Sequence, residues 1–129
     1  MAIHLDTDFL VHALAHTGPE RRRLLAAADE EADIRMSAVA WYEFSRGPRT
    51  PEQLAVARTL LGDDGVIPFD GELAARAAEV FRMLGSPRKR AADVAIGVTA
   101  ATVSALLLTR NRRDFACIPG LRMDPRLKS

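Results

Sequence analysis

Residues 91–114 read AADVAIGVTAATVSALLLTRNRRD and combine a run of small residues, a short apolar run and two isolated aspartates. The pattern predicts a helix over 91–103 and a fully buried strand over 106–108. A helix of about 12 residues is roughly 18 Å long, and a strand of about five residues spans roughly 16 Å on its return. Because the two lengths nearly cancel, Asp93 and Asp114 should lie at the same edge of a sheet.

The rest of the chain alternates short β-like runs with helical patterns, which predicts βαβ units and a parallel sheet. Further strands are expected over residues 2–6, 33–36, 66–69 and 121–123. Helices are expected over residues 9–16, 20–31, 51–61 and 73–84. Another helix should begin after an N-cap at Ser37 and carry Glu43, and Pro68 limits its strand to a sheet edge. The expected fold class is therefore α/β.

Composition bounds the kind of protein. At 129 residues the chain fits one domain, residues 1–129, with 48% hydrophobic and 27% charged residues. No apolar run approaches the length of a membrane span, and the N-terminal residues lack the pattern of a signal peptide. Cys117 is the only cysteine, which excludes an intrachain disulfide and favours a cytoplasmic protein. We expect Cys117 itself to be a partly buried small hydrophobe.

The net charge by itself does not indicate a nucleic-acid-binding protein. The net charge of +1 comes from 18 basic and 17 acidic residues, and a nucleic-acid binder is often far more basic. The distribution is more telling, because basic clusters at residues 88–90 and 110–113 flank the two aspartates. Arginines of this kind can position the phosphates of a substrate.

Four acids stand out by position. Asp6 ends the first predicted strand, and sites in open parallel sheets form outside the carboxyl ends of the strands. Glu43 lies within about two turns of the start of its helix and can reach that edge, where Asp93 and Asp114 should also lie.

Clustered carboxylates repel one another, and oxygen ligands favour Mg²⁺ or Mn²⁺ over zinc. Such an ion can lower the pKa of a water and offset charge on a phosphate. The pattern points to phosphodiester hydrolysis.

Each acid taken alone also has a purely structural interpretation. Asp6 or Asp8 could cap the following helix, and Glu43 could be an exposed helical residue. Asp93 could be a first-turn acid favoured by the helix dipole, and Asp114 could be a turn residue. The joint placement of the four is what favours a site.

These residues belong to segments that resemble known motifs. Four segments, in order, resemble the four motifs of the PIN-domain family: Leu5–Leu10, Ser37–Phe44, Ala92–Gly97 and Leu108–Phe115. Residues 118–121 also resemble its C-terminal pattern. The resemblance covers essentially the whole chain, whose size is that of a single-domain VapC-type toxin.

The resemblance implies a three-layer sandwich, with a central parallel β-sheet flanked by helices, and a Mg²⁺- or Mn²⁺-dependent endoribonuclease. Asp6, Glu43 and Asp93 match the central metal-site acids, and Asp114 matches the fourth. The matching polar residues that would support the site are Thr7, Thr109 and Asn111. The arginines that would contact the phosphates of the RNA are Arg110, Arg112 and Arg113. The family also implies a homodimer and a VapB-type antitoxin that blocks the groove.

Asp8 departs from the commonest family pattern, which has Asn at this position, and we expect it to cap the first helix. A second hypothesis is a haloacid-dehalogenase-like phosphatase that uses Asp6 and Asp8, although Leu10 and the lack of a lysine-bearing motif disfavour it. A third is a catalytically inactive α/β module that binds RNA or a protein. His12 and His16 have the spacing of a zinc pair, but no third ligand is apparent and a surface pair is favoured.

Overall fold

Strands of two to five residues form one parallel sheet in the computed structural model, which describes residues 1–127. They are β1 (Ala2–Leu5), β2 (Asp33–Ser37), β3 (Val66–Ile67), β4 (Leu106–Leu108) and β5 (Arg122–Met123). Their order is β3-β2-β1-β4-β5, and each pair of neighbours is parallel. The expected parallel sheet is confirmed, with the proline-flanked β3 at one edge.

Helices connect and flank these strands, as expected for an α/β fold. They are α1 (Thr7–Ala15), α2 (Pro19–Asp29), α3 (Ala38–Arg46), α4 (Pro51–Leu61), α5 (Gly71–Met83), α6 (Ala91–Thr102) and α7 (Arg112–Phe115). The sequence did not predict α7 or the 3₁₀ turn Arg88–Arg90 that precedes α6. Segments of three or four residues are too short for a hydrophobic period to show.

Side-chain caps set where the helices begin. The predicted N-cap of α3 is confirmed, because the Ser37 hydroxyl accepts the backbone N–H of Ala40 at 3.0 Å. The predicted cap of α1 is wrong. Asp6, in extended backbone, accepts the N–H of Phe9 at 2.7 Å, so α1 begins at Thr7 and Asp8 lies in its first turn. An N-cap precedes the helix and bonds the third residue on, a position that Asp6 occupies and Asp8 does not.

The centre of the fold is formed by β1, β4 and α6. All three residues of β4 are buried, as are the residues of α6 from Val94 to Ala100. Such a helix is apolar on every side because it has protein on every side: α6 packs against α3, α5 and α7. This burial holds the first turn of α6, and therefore Asp93, near the carboxyl edge of the sheet.

Two side chains have unexpected surroundings. His4 in β1 is buried, and neither ring nitrogen has a hydrogen-bond partner among residues 1–127. Burial, aided by the charge of Arg35 and opposed by Asp33, lowers the pKa of His4 to about 4, so a neutral imidazole lies in the core. Cys117 is exposed, which contradicts the expected partial burial; it lies in the turns after α7. Within the described chain, no helix is long and apolar enough to cross a membrane.

Candidate active site

Asp6 is held at the end of β1 by donors to both of its carboxylate oxygens. The backbone N–H of Phe9 donates to Oδ1 at 2.7 Å, and the Thr109 hydroxyl donates to Oδ2 at 2.6 Å. Thr109 in turn accepts the backbone N–H of Asn111 at 2.9 Å. The side chain of Asp6 is therefore fixed by α1 on one side and by the turn after β4 on the other.

Glu43 reaches the same region from α3, which begins directly after β2. Its Oε1 accepts a hydrogen bond from the Thr7 hydroxyl at 2.8 Å, so the first turn of α1 orients it. Thr7, Thr109 and Asn111 all take part in hydrogen bonds that lead to an acid.

Asp93 lies in the first turn of α6, and Asp114 lies in α7. Burial raises the pKa of Asp93 to about 6, and the charges of Asp114 and Glu43 add to this rise, while Arg90 opposes it. The two aspartates that the sequence predicted to share an edge are thus close enough to repel. Asp114 does not line the cleft that contains the other acids.

That cleft has a volume of about 370 Å³ and a mixed charge. Its charged side chains are the carboxylates of Asp6, Asp8, Glu43 and Asp93 and the guanidinium groups of Arg46 and Arg49. A larger groove of about 810 Å³ lies along α5 and α6 and contains none of these four acids. Asp6, Asp8, Glu43 and Asp93 are thus concentrated in the smaller cleft.

Carboxylates in this cleft interact unfavourably. Burial raises the pKa of Asp6 to about 7; the bonds from Thr109 and Phe9 limit the rise, and the charges of Asp8 and Asp93 increase it. A hard divalent cation relieves such repulsion, and carboxylate oxygens are the ligands it prefers. The residues present therefore fit Mg²⁺ or Mn²⁺ in donor type.

The arrangement of the acids matters as well as their donor type. In the part of the chain that the structure describes, no group of three His, Cys, Asp or Glu side chains is already arranged to hold a metal ion. Both carboxylate oxygens of Asp6 and Oε1 of Glu43 accept hydrogen bonds from protein donors.

The arginines named from the sequence have different surroundings. Arg110 forms an ion pair with Asp8 at 3.2 Å, so Asp8 faces the turn after β4. Arg112 donates to the backbone carbonyls of Asp124 and Leu127 at 2.7 and 3.2 Å. Arg113 is exposed and does not line the cleft.

Sequence reasoning missed two arginines that do line it, Arg46 and Arg49. The available signal was their position, three and six residues after Glu43. Three residues on a helix bring side chains to neighbouring positions on one face, which is the relation of Arg46 to Glu43.

The sequence of this chain also matches a known protein family. The sequence model of the PIN-domain family matches residues 3–121, which is nearly the whole chain. The chain belongs to the PIN-domain family. No curated protein sequence matches it.

Solved structures with the same fold include three from bacterial complexes. VapBC2 from Rickettsia felis, bound to a promoter DNA fragment, has 21% identity and a TM-score of 0.73, and the match covers 96% of this chain and 98% of that one. A toxin–antitoxin complex from Klebsiella pneumoniae has 23% identity and a TM-score of 0.70, covering 99% and 100%. DNA-bound VapBC from Salmonella typhimurium has 19% identity and a TM-score of 0.69, covering 96% and 97%. At this identity the likeness establishes the PIN fold, and the phosphatase hypothesis gains no support.

Proposed function

We propose that this PIN domain, with residues 1–129 acting as one unit, is a Mg²⁺- or Mn²⁺-dependent endoribonuclease. The observation that carries the proposal is the meeting of Asp6, Glu43 and Asp93, from three separate elements, in one cleft. Burial and mutual repulsion raise the pKa of Asp6 to about 7 and that of Asp93 to about 6. Groups perturbed in this way cluster at functional sites.

Asp6, Glu43 and Asp93 would hold the ion. A bound Mg²⁺ or Mn²⁺ would lower the pKa of a water molecule and offset the negative charge that develops on the phosphate. Thr109 holds the Asp6 carboxylate in a fixed orientation, and Thr7 does the same for Glu43. These hydrogen bonds orient both carboxylates before an ion or a substrate binds, which is one form of preorganisation.

Residues around this trio would support it. Asp114 adds negative charge beside Asp93 and is our candidate for a fourth, outer acid. Asn111 bonds to Thr109 through its backbone N–H and lines the cleft. Arg110, paired with Asp8 at the rim, and the exposed Arg113 are candidates for contact with RNA phosphates. Arg112 is a weaker candidate, because it is engaged by backbone carbonyls.

We further propose that the protein is the toxin of a toxin–antitoxin pair. The support is that its structural neighbours are VapBC and other toxin–antitoxin complexes. A VapB-type antitoxin would then be its partner, and a homodimer its assembly. The proposal also locates its action in the cytoplasm, where its RNA substrates are.

The nuclease proposal is tested by incubating purified protein with mixed RNA in Mg²⁺ or Mn²⁺. Asp93→Asn should reduce cleavage by about 10²-fold or more, the scale on which loss of one preorganised electrostatic group acts. EDTA should abolish cleavage. Asp63→Asn makes the same change of charge at an exposed turn outside the cleft and should cleave as the wild type does.

A separate readout is metal binding by calorimetry, which requires no substrate. Wild type should bind Mg²⁺ or Mn²⁺, and Asp93→Asn should bind it more weakly, while Asp63→Asn should match wild type. If wild type binds neither ion and cleaves no RNA, the proposal is wrong, and the inactive RNA- or protein-binding module takes its place.

A further inference from the structure

Two cationic side chains line the otherwise acidic cleft. Arg46 ends α3, and Arg49 follows it after the Gly47-Pro48 turn. Among residues 1–127, neither forms an ion pair with any carboxylate, although Glu43 lies one helical turn before Arg46. Glu43 is oriented towards the Thr7 hydroxyl instead. The charges of both arginines thus remain available to a ligand.

Arg49 is held by local contacts. Its Nε donates to the carbonyl of Phe44 at 3.2 Å, and its guanidinium carbon lies 5.4 Å from the centre of the Phe44 ring. Phe44 is fully buried, so the surface beneath the guanidinium is rigid. Since only Nε is used, Nη1 and Nη2 are the donors left for the cleft.

Gly47 makes room for this arrangement. Its backbone, at φ −80° and ψ 178°, is an extended conformation that any residue can adopt. A Cβ at this position would lie 2.7 Å from Nη2 of Arg49 and 3.3 Å from its Nε. The lack of a side chain at Gly47 therefore leaves room for the guanidinium in this position, and an added Cβ would shift it.

Arg46 is arranged in a similar way. Its guanidinium carbon lies 5.6 Å from the centre of the Tyr42 ring, one helical turn earlier. Each arginine therefore rests on an aromatic ring of α3, a contact that favours a defined orientation.

We propose that Arg46 and Arg49 form a binding site for backbone phosphates of RNA beside the acidic residues, a proposal that rests on the nuclease function above. A guanidinium offers paired donors that match a phosphate. Four carboxylates repel a polyanion, and the two arginines offset part of that repulsion where the RNA must enter.

The test measures binding without cleavage. Variants are made in the full-length chain in an Asp93→Asn background, and binding of a short fluorescent single-stranded RNA is measured at several salt concentrations. Arg49→Ala should weaken binding several-fold at low salt and reduce the slope of log K against log salt by about 0.7, the value for one phosphate contact with a single strand. Arg82→Ala, an exposed arginine of α5 outside the cleft, should leave the slope unchanged.

Gly47→Ala is a milder variant, because it removes no charge. It should weaken binding less than Arg49→Ala does, because the added methyl group shifts the guanidinium but leaves its charge beside the cleft. Its melting temperature should equal or exceed that of the parent, because alanine fits this backbone conformation. If Arg49→Ala binds as the parent does, or if Arg82→Ala loses as much as Arg49→Ala, the phosphate site is overturned.

Two further outcomes separate this proposal from others. If the parent binds no RNA at low salt, the phosphate site is overturned, and cleavage by wild type decides independently on the nuclease. Competition tests the class of ligand: polyphosphate should displace the RNA from the parent far better than poly-glutamate does. Equal displacement would assign the arginines to an acidic protein segment and overturn the proposal.

Discussion

At the scale of single residues, Asp6 has two tasks that its geometry makes compatible. One carboxylate oxygen caps α1 through the N–H of Phe9, and the other accepts from Thr109. A carboxylate has about four lone-pair sites, so both bonds leave capacity for a cation. The same contacts that begin the helix therefore orient an acid at the edge of the sheet.

This double role predicts that Thr109 acts as a positioning residue. In Thr109→Val the side chain keeps its shape but loses the hydroxyl that holds Oδ2 of Asp6. Cleavage should fall about 10- to 100-fold, as is usual when a group that orients a metal ligand is removed. The readout is the Mg²⁺ concentration needed for half-maximal cleavage, which should rise.

A matched control is Thr59→Val on α4, where the hydroxyl bonds only to the carbonyl of Ala55 and is exposed. It should leave the Mg²⁺ dependence unchanged. If Thr109→Val lowers the maximal rate with no change in Mg²⁺ dependence, the hydroxyl does not act through the metal site.

At the scale of elements, α6 meets α7 and the turn that follows it across Gly97. A Cβ on Gly97 would lie 2.3 Å from Cδ1 of Ile118 and 3.3 Å from Cδ1 of Phe115. Both neighbours are buried, so neither moves freely. The absence of a side chain at Gly97 lets the element that carries Asp114 lie close to the helix that carries Asp93.

Gly97→Ala should therefore lower the free energy of unfolding by about 1–3 kcal/mol, the usual cost of overpacking, despite the higher helix propensity of alanine. Urea denaturation measures it. Gly71→Ala, in the first turn of α5 with open space at the Cβ position, should be neutral or stabilising by up to about 1 kcal/mol. Equal effects of the two substitutions would contradict the close approach at Gly97.

At the scale of the whole molecule, a buried ion pair joins the C-terminal segment to α2 near the N-terminus. Asp124 is buried and forms an ion pair with Arg23 of α2, 101 residues away. Burial alone would raise the pKa of Asp124, but hydrogen bonds from the Arg126 backbone and Arg23, and the charge of Arg23, hold it below its usual value. The backbone of the same segment accepts from Arg112 of α7.

Breaking this ion pair should destabilise the whole fold. Asp124→Asn leaves the buried guanidinium of Arg23 without its counter-charge, and the free energy of unfolding should fall by about 3–5 kcal/mol at neutral pH. Because folding lowers the pKa of Asp124, its ionised carboxylate stabilises the folded state. This contribution is complete above the pKa of the carboxyl in the unfolded chain, about 3.9. It is lost as the pH falls through the lower pKa of the folded protein. The difference between wild type and Asp124→Asn in urea denaturation should therefore be constant from pH 7 to about pH 5 and shrink below about pH 4. A difference that stays constant to lower pH would mean that the ion pair is not its source.

The sequence by itself determined the classes of the elements and the parallel sheet. Apolar periodicity and buried runs report which face of an element meets the core, and that information is local. Residue type predicted two further features: Pro68 indicated that β3 is an edge strand, and Ser37 was expected to cap the start of α3. Local information failed for α7, which is too short to show a period, and for Cys117, whose exposure depends on how the last turns pack.

The site divides in the same way. The sequence identified Asp6, Glu43 and Asp93 as candidates, because strand ends and helix starts bring acids to one edge. Which partners hold them was decided by the tertiary structure: Thr7 bonds to Glu43 across 36 residues, and Thr109 to Asp6 across 103. The guanidinium of Arg49 likewise occupies space that a Cβ at Gly47 would enter. A pattern along the chain reports which way a side chain faces, whereas its partner is set by the packing of elements distant in sequence.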